Sequence, residues 1–224
     1  GLNFRTCLDE ATPCGDSDLE YVGQDHGAAV AGLVAAEGGN EKGVIGVCPA
    51  CRLMLLTLGG GEWPRIHAFL YAAEQGASVV SASWTMDRKT AVEAVIRDVS
   101  HTARGGRGLP VVFSVGDDGD LNVCEDEEGS PEKFAGMDEV IAVATSDNDD
   151  KRVPGANLGN CLDLLAPGGF EQNPLGVTTT DQVGSEGKNN ADDPCARGEL
   201  ADVDYTNCSG GSSASAAIVS GVVG

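Results

Sequence analysis

Leu109-Pro110-Val111-Val112-Phe113-Ser114-Val115 is an apolar run of strand length, and its neighbours decide the fold. Upstream of it, Thr90 to Arg104 carries a helical apolar period and stops at Gly105-Gly106. Before that helix comes a second strand-like run, Ala77 to Ser83. Two continuous apolar strands separated by a helix are the mark of a parallel pair covered on both faces. The alternation continues outward. Arg52 to Leu58 reads as a buried strand and Glu62 to Gln75 as a helix ending at Gly76. Val140 to Thr145 and Leu162 to Ala166 read as two further strands, and Ala28 to Ala36 as a small-residue helix for deep packing. The expected fold is α/β: a mainly parallel central sheet with helices on both faces, in three layers. No internal repeat is present. Asp181 to Asp204 is polar, acidic and rich in Gly and Asn, and reads as a long surface loop.

The length of 224 residues suits a single domain, residues 1–224. The formal charge is −21, which repels phosphate backbones and anionic lipid, so neither nucleic acid nor a membrane is an expected partner. A hydrophobic share of 41% is too high for a disordered acidic tail. No apolar run approaches the ~20 residues of a membrane span, so a soluble chain is expected, and a monomer is the expected state. Eight cysteines in a chain of this size point to an oxidising, extracytoplasmic compartment. The chain opens on Gly1 with no signal segment, and Gly224 interrupts the apolar run that starts at Ala216. Both ends read as cut, so a fragment or processed chain is expected.

Nucleotide chemistry fails on its motifs. Gly59-Gly60-Gly61-Glu62-Trp63-Pro64 lacks the third glycine of G-x-G-x-x-G, and no G-K-[ST] occurs. The elbow G-x-S-x-G fails as well, because Gly211-Ser212-Ser213-Ala214-Ser215 ends in Ser. Three other segments are more telling: Asp25-His26-Gly27-Ala28-Ala29-Val30-Ala31-Gly32, the strand ending in Gly116-Asp117-Asp118-Gly119, and Gly211 to Gly221. In this order they resemble the subtilase family of serine peptidases, whose corresponding motifs are H-G-T-H-V-A-G, G-N-[DE]-G and G-T-S-M-A-S-P-x-V-A-G. Gly46-Val47-Cys48-Pro49 resembles that family's G-V-A-P, Ala82-Ser83-Trp84 its substrate-binding strand, and Asn157 to Gly168 its S-N-Y-G-x-x-V-D-L-x-A-P-G. The resemblance runs from about Asn3 to the end of the chain.

The resemblance implies a subtilisin-like fold and peptide-bond hydrolysis. Ser213 matches the nucleophile, and His26 the general base that takes the Oγ proton and returns it to the leaving amine. Ser81, Ser83, Trp84 and Gly116 match substrate-binding positions. The interval from His26 to Ser213 exceeds that of subtilisin, and the acidic stretch before Cys208 accounts for the excess. The third triad member is missing from its place. The family order is Asp…His…Ser, and none of Asp9, Asp16, Asp18 or Asp25 follows an apolar strand. Asn3 to Asp18 looks like the loop after the Asp-bearing strand in kexin-like members, so that strand is expected upstream of Gly1. Without the acid the chain by itself is expected to be nearly inactive, since losing its function costs about 10⁴ in kcat.

A second departure is Asp117, which matches the Asn of the oxyanion hole. An Asn donates an N–H to the developing O⁻, an ionised Asp only accepts, and removing such a donor costs roughly 10²–10³ in kcat. At least one proprotein convertase of the superfamily is active with Asp at this place. A competing reading is therefore a weak or inactive subtilase-like domain that binds peptides or partners. The segment Ser81 to Asp87 is similar to the kexin-type S-W-G-P-x-D-D out of register, and Asp87 reads foremost as a solvated turn residue. His67 and His101 lie within helical patterns and receive no role.

Cys48-Pro49-Ala50-Cys51 is a C-x-x-C that opens a strand rather than a helix and has no second such pair, which favours a local disulfide over redox or zinc chemistry. Some secreted subtilases bridge the places matching Cys124 and Cys161. That leaves Cys7–Cys14 and Cys195–Cys208 as local loops. No cofactor is required by the resemblance, although many subtilases bind calcium. The acidic clusters Asp117-Asp118-Gly119-Asp120, Glu125 to Glu128 and Asp147 to Asp150 offer hard oxygen ligands, but none matches a D-x-[DN]-x-[DN]-G loop.

Overall fold

The computed structural model describes residues 2–3, 25–119, 122–124, 133–169, 176–189 and 200–224. In chain order the elements are β1 (Leu2–Asn3), α1 (Asp25–Ala35), β2 (Leu56–Thr57), α2 (Trp63–Glu74), β3 (Val80–Ala82), α3 (Thr90–Gly106), β4 (Val111–Ser114), a 3-10 turn at Phe134–Gly136, β5 (Ile141–Ser146), β6 (Leu164–Pro167), β7 (Val177–Thr180), β8 (Tyr205–Ser209) and α4 (Gly211–Val223). The central sheet has the order β3-β4-β5-β6, and every pairing in it is parallel. β1 pairs with β2 in parallel, and β7 with β8 as an antiparallel ribbon.

The period of two along each strand sorts the core. Val111, Phe113 and Val115 of the β4 run, with Ala142 and Ala144 of β5, face α2 and α3, where they meet Ile66, Phe69, Val92 and Ile96. Val112 and Val143 face the other way, onto Ala216 and Val219 of α4. Behind α4 lies α1, whose Leu33 and Val34 pack on Ala214 and Ala217. The result is the three-layer α/β sandwich, with helices on both faces of a parallel sheet.

Local sequence explains the helices. Pro64 sits in the first turn of α2, where its missing N–H costs nothing. Val92, Ile96 and Val99 of α3 are buried at helical spacing. That helix loses regular geometry at Ala103, so the Arg104 end overshoots slightly. α1 begins at Asp25, earlier than the small-residue run suggests.

Three strand and loop expectations need correction. Only Leu56–Thr57 of the Arg52–Leu58 run is strand, and Leu53 and Leu55 are exposed while Met54, Leu56 and Leu58 pack inward. Among the described residues the run is covered on one side only. β6 is an end strand of the four-stranded sheet, and Leu164 and Leu165 are exposed there. The stretch from Asp181 is not simply a solvated loop, because Asp181 and Asn189 are buried. Asp181 Oδ2 accepts the Asn189 N–H at 2.7 Å, and Asn189 Nδ2 donates to the carbonyls of Leu200, Asp202 and Tyr205. These bonds fold the described part of the stretch onto the β7–β8 ribbon.

Disulfides join Cys48 to Cys51 (Cα–Cα 5.3 Å) and Cys124 to Cys161 (5.4 Å). The second closes a separation of 37 residues, for which the chain-entropy account gives roughly 3–4 kcal/mol. Cys208 is also disulfide-bonded. Cys7, Cys14 and Cys195 lie outside the described residues.

Candidate active site

Ser213 stands in the first turn of α4 and is half-buried. Its Oγ donates to the Ser83 carbonyl at 3.3 Å, and Ser83 Oγ donates back to the Ser213 carbonyl at 2.9 Å. This reciprocal pair ties the segment after β3 to the start of α4. Gly116 and Asp117, which follow β4, meet the same turn one residue earlier. Asp117 Oδ2 accepts both the backbone N–H of Ser212 (2.8 Å) and its hydroxyl (2.9 Å), while Ser212 Oγ accepts the Gly116 N–H (3.0 Å). Ser83, Gly116, Asp117, Ser212 and Ser213 therefore form one bonded cluster beyond the carboxyl ends of β3 and β4, the edge where α/β sheets place ligands.

His26 is exposed in the first turn of α1, the helix that packs on α4. The hydroxyls of Thr179 and Thr180 on β7 donate to the carbonyls of Ala29 and Ala28, fixing that turn against the β7–β8 ribbon. Ser81 is exposed on β3 and takes no part in the bonded cluster. The Trp84 ring is turned into the fold: it meets Phe113 edge-on at 5.0 Å and Phe134 at 6.1 Å. The Arg65 guanidinium lies 5.1 Å over its face, and burial lowers the pKa of that group.

Two residues of the site carry roles that their sequence setting hides. Asn157 is fully buried. Its amide donates to the Val115 carbonyl (3.0 Å) and to Asp118 Oδ2 (3.1 Å), and its Oδ1 accepts the Asp118 N–H (3.1 Å). It thereby fixes the loop that carries Asp117. Ser212 looks like a spare small residue beside Ser213, yet it bonds to both Gly116 and Asp117. A polar residue inside the Asn157–Gly168 motif was the available signal for the first, and the Ser-Ser doublet for the second.

Among the described residues no group of three His, Cys, Asp or Glu side chains converges to hold a metal ion. Asp147 spends its carboxylate on its own turn, accepting the N–H groups of Asp149 and Lys151, and these bonds lower its pKa. Residues 125–128 of the acidic clusters lie outside the described residues. Asp87 is exposed and pairs with Lys133 at 2.6 Å. A cavity of about 490 Å³ lined by residues 38–45 touches none of the site residues.

The chain belongs to the subtilase family, peptidase family S8, whose pattern matches residues 9–224. It is 33% identical over 175 residues to an intracellular serine protease of Paenibacillus polymyxa, covering 75% of this chain and 49% of that protein. It is 29% identical over 220 residues to a calcium-dependent protease of Trichormus variabilis, covering 88% of this chain and 31% of that one. Among solved structures it is similar to a protease from Pseudoalteromonas arctica PAMC 21717, with a TM-score of 0.66 and 25% identity over 88% of this chain and 56% of that one. The chain spans about a third to a half of the length of the curated relatives it matches.

Proposed function

We propose that this chain forms the body of a serine endopeptidase acting on peptides or proteins. Ser213 Oγ attacks the scissile carbonyl, and His26 accepts its proton and delivers it to the leaving amine. The acid that orients the imidazole is assigned upstream of Gly1, and the isolated chain is assigned little turnover. The segment Ser81 to Trp84 and Gly116 present main-chain groups to an extended peptide. The observation that carries this reading is the setting of Ser213: half-buried in the first turn of α4, bonded to Ser83, beside the helix whose first turn bears His26. The disulfides support an extracytoplasmic, secreted destination, although two relatives are named intracellular. The acidic surface favours basic substrates by long-range steering. No cofactor enters the proposed chemistry, and a monomer suffices for it.

The second reading, a weak or inactive domain that binds peptides, is favoured by one observation: Asp117 stands where the family motif has an amide donor. Fluorophosphonate labelling decides between them. The natural full-length protein is expected to label at Ser213 and to lose the label in Ser213→Ala and His26→Ala. Absence of label in a folded full-length protein would establish the binding-domain reading instead.

A further inference from the structure

We propose that Asp117 is a positioning residue for the nucleophile's turn, acting as an acceptor that holds Ser212 and, through it, Ser213. The inference rests on the assignment of Ser213 as the nucleophile. Both donors of Ser212 converge on one carboxylate oxygen, the N–H at 2.8 Å and the hydroxyl at 2.9 Å. The hydroxyl has its direction set at both ends. Its oxygen accepts the Gly116 N–H, so its proton goes to Asp117. The helix itself lacks a cap: Gly210 at the N-cap has no side chain, and the first-turn N–H groups of any helix need acceptors. Asp117 supplies one from the end of another strand, and an anion there is favoured by the helix dipole.

The backbone is shaped around this carboxylate. Gly211 has φ +73°, and a Cβ at that residue would fall 2.6 Å from Asp117 Oδ2. Only glycine lets the chain pass so close while turning left-handed. Asn157 fixes Asp117 from the other side by bonding Val115 and Asp118, its neighbours in the loop. An oxygen committed to two donors does not serve as a donor to an oxyanion. The contribution of Oδ2 is therefore geometric.

The test combines backbone amide exchange at Gly116 and Ser212 with the rate at which a fluorophosphonate labels Ser213, in the full-length protein. Asp117→Ala is expected to speed exchange at Ser212 about tenfold or more and to slow labelling by a similar factor, the scale of one lost hydrogen bond to a charged group. On a peptide amide, kcat should fall with KM held within about twofold, the pattern of a lost transition-state interaction. Asp117→Asn keeps an oxygen for Ser212 and should restore amide protection. Removing Asp117 from a Ser212→Ala protein should cost clearly less labelling than removing it from the wild type, because the two act as a unit. Unchanged exchange at Ser212 in Asp117→Ala, or an equal labelling cost in both backgrounds, would overturn the proposal. Should Asp117→Ala not fold, Ser212→Ala carries the test, since the Gly116 amide must then exchange faster, and unchanged exchange there refutes the linkage. A wild type that never labels while Asp117 protects Ser212 refutes the nucleophile assignment and supports the hold on the turn.

Discussion

The two faces of the central sheet are built from different materials. Toward α2 and α3 the core is bulky and aromatic: Phe69, Phe113, Phe134 and Trp84 interlock with Val92 and Ile96, and the Phe113 and Phe134 rings lie 5.8 Å apart. Toward α4 the packing residues are small, and hydroxyls are buried among them. Ser212, Ser215 and Ser220 of the helix and Thr145 of β5 are all nearly inaccessible. Ser215 Oγ donates to the Ala166 carbonyl at 2.9 Å, and Ser220 Oγ to the Ala216 carbonyl at 2.8 Å. The first face is held by volume and tolerates smooth repacking. The second is held by directed bonds at close approach, which is what the nucleophile proposed at Ser213 needs to stay within a fraction of an ångström. The site belongs to the second face.

That contrast can be broken in several ways. The largest expected effect is chemical: Ser213→Ala should lower hydrolysis or labelling by at least about 10³-fold while leaving the thermal midpoint nearly unchanged. A large drop in the midpoint would mean that Ser213 is structural. Next, Phe113→Ala should destabilise by about 3–5 kcal/mol in denaturant unfolding, because a fully buried ring leaves a cavity in the aromatic face. A cost under about 1 kcal/mol would show that this face collapses freely. Gly168→Ala probes the other face. A Cβ there would stand 2.6 Å from the Gly211 carbonyl and 2.8 Å from Thr145 Cγ2, closer still to Ser215 Oγ. About 1–3 kcal/mol of overpacking is expected, together with slower labelling as α4 is pushed away. Stability loss without slower labelling would uncouple the close approach from the site.

Smallest is the acid sensitivity of the outer helix. Arg97 bonds Glu139 at 2.6 Å and Glu93 at 3.2 Å, and Arg88 also pairs with Glu93. These cations hold both glutamates below their ordinary pKa. A depressed carboxyl stabilises the fold at neutral pH, and the contribution fades as pH falls through the folded-state value. The pairs lie at the surface, where ion pairs contribute little. Glu139→Gln should therefore flatten the acid limb of a midpoint-versus-pH curve slightly and leave the neutral plateau almost unmoved. A drop at neutral pH as large as that of Gly168→Ala would contradict this ranking.

The aromatic face was legible because its signal is local. Leu109 to Val115 alternates between the two covered faces, and both sides being apolar announces a parallel strand. The α3 stripe Val92, Ile96 and Val99 reads directly as a helix. The Arg52–Leu58 run misleads because an apolar residue does not say whether its face is covered, and Leu53 and Leu55 are exposed. Asp181 reads as solvated for the opposite reason: a polar stretch does not show that its own loop turns back to bond it, through Asn189 eight residues on and Asp204 just before β8. On the site face, α4 is poor in strong helix formers, and Gly211-Ser212-Ser213 has little intrinsic helix propensity. Its motif, not its period, marks it. The place of Asp117 was readable, but its orientation was not, since that depends on two donors of Ser212 far along the chain.

The order of the elements has a consequence in time. α4 follows β3, β4, β5 and β6 in the chain and packs across all of them, while α1, which it also packs on, comes before them. Contacts between such distant segments form late, after the cost of closing long loops has been met. During synthesis, the strands and the His26 helix leave the ribosome well before the Ser213 helix does. The turn that carries Ser213 is thus assembled only once the sheet it is built on has been synthesised.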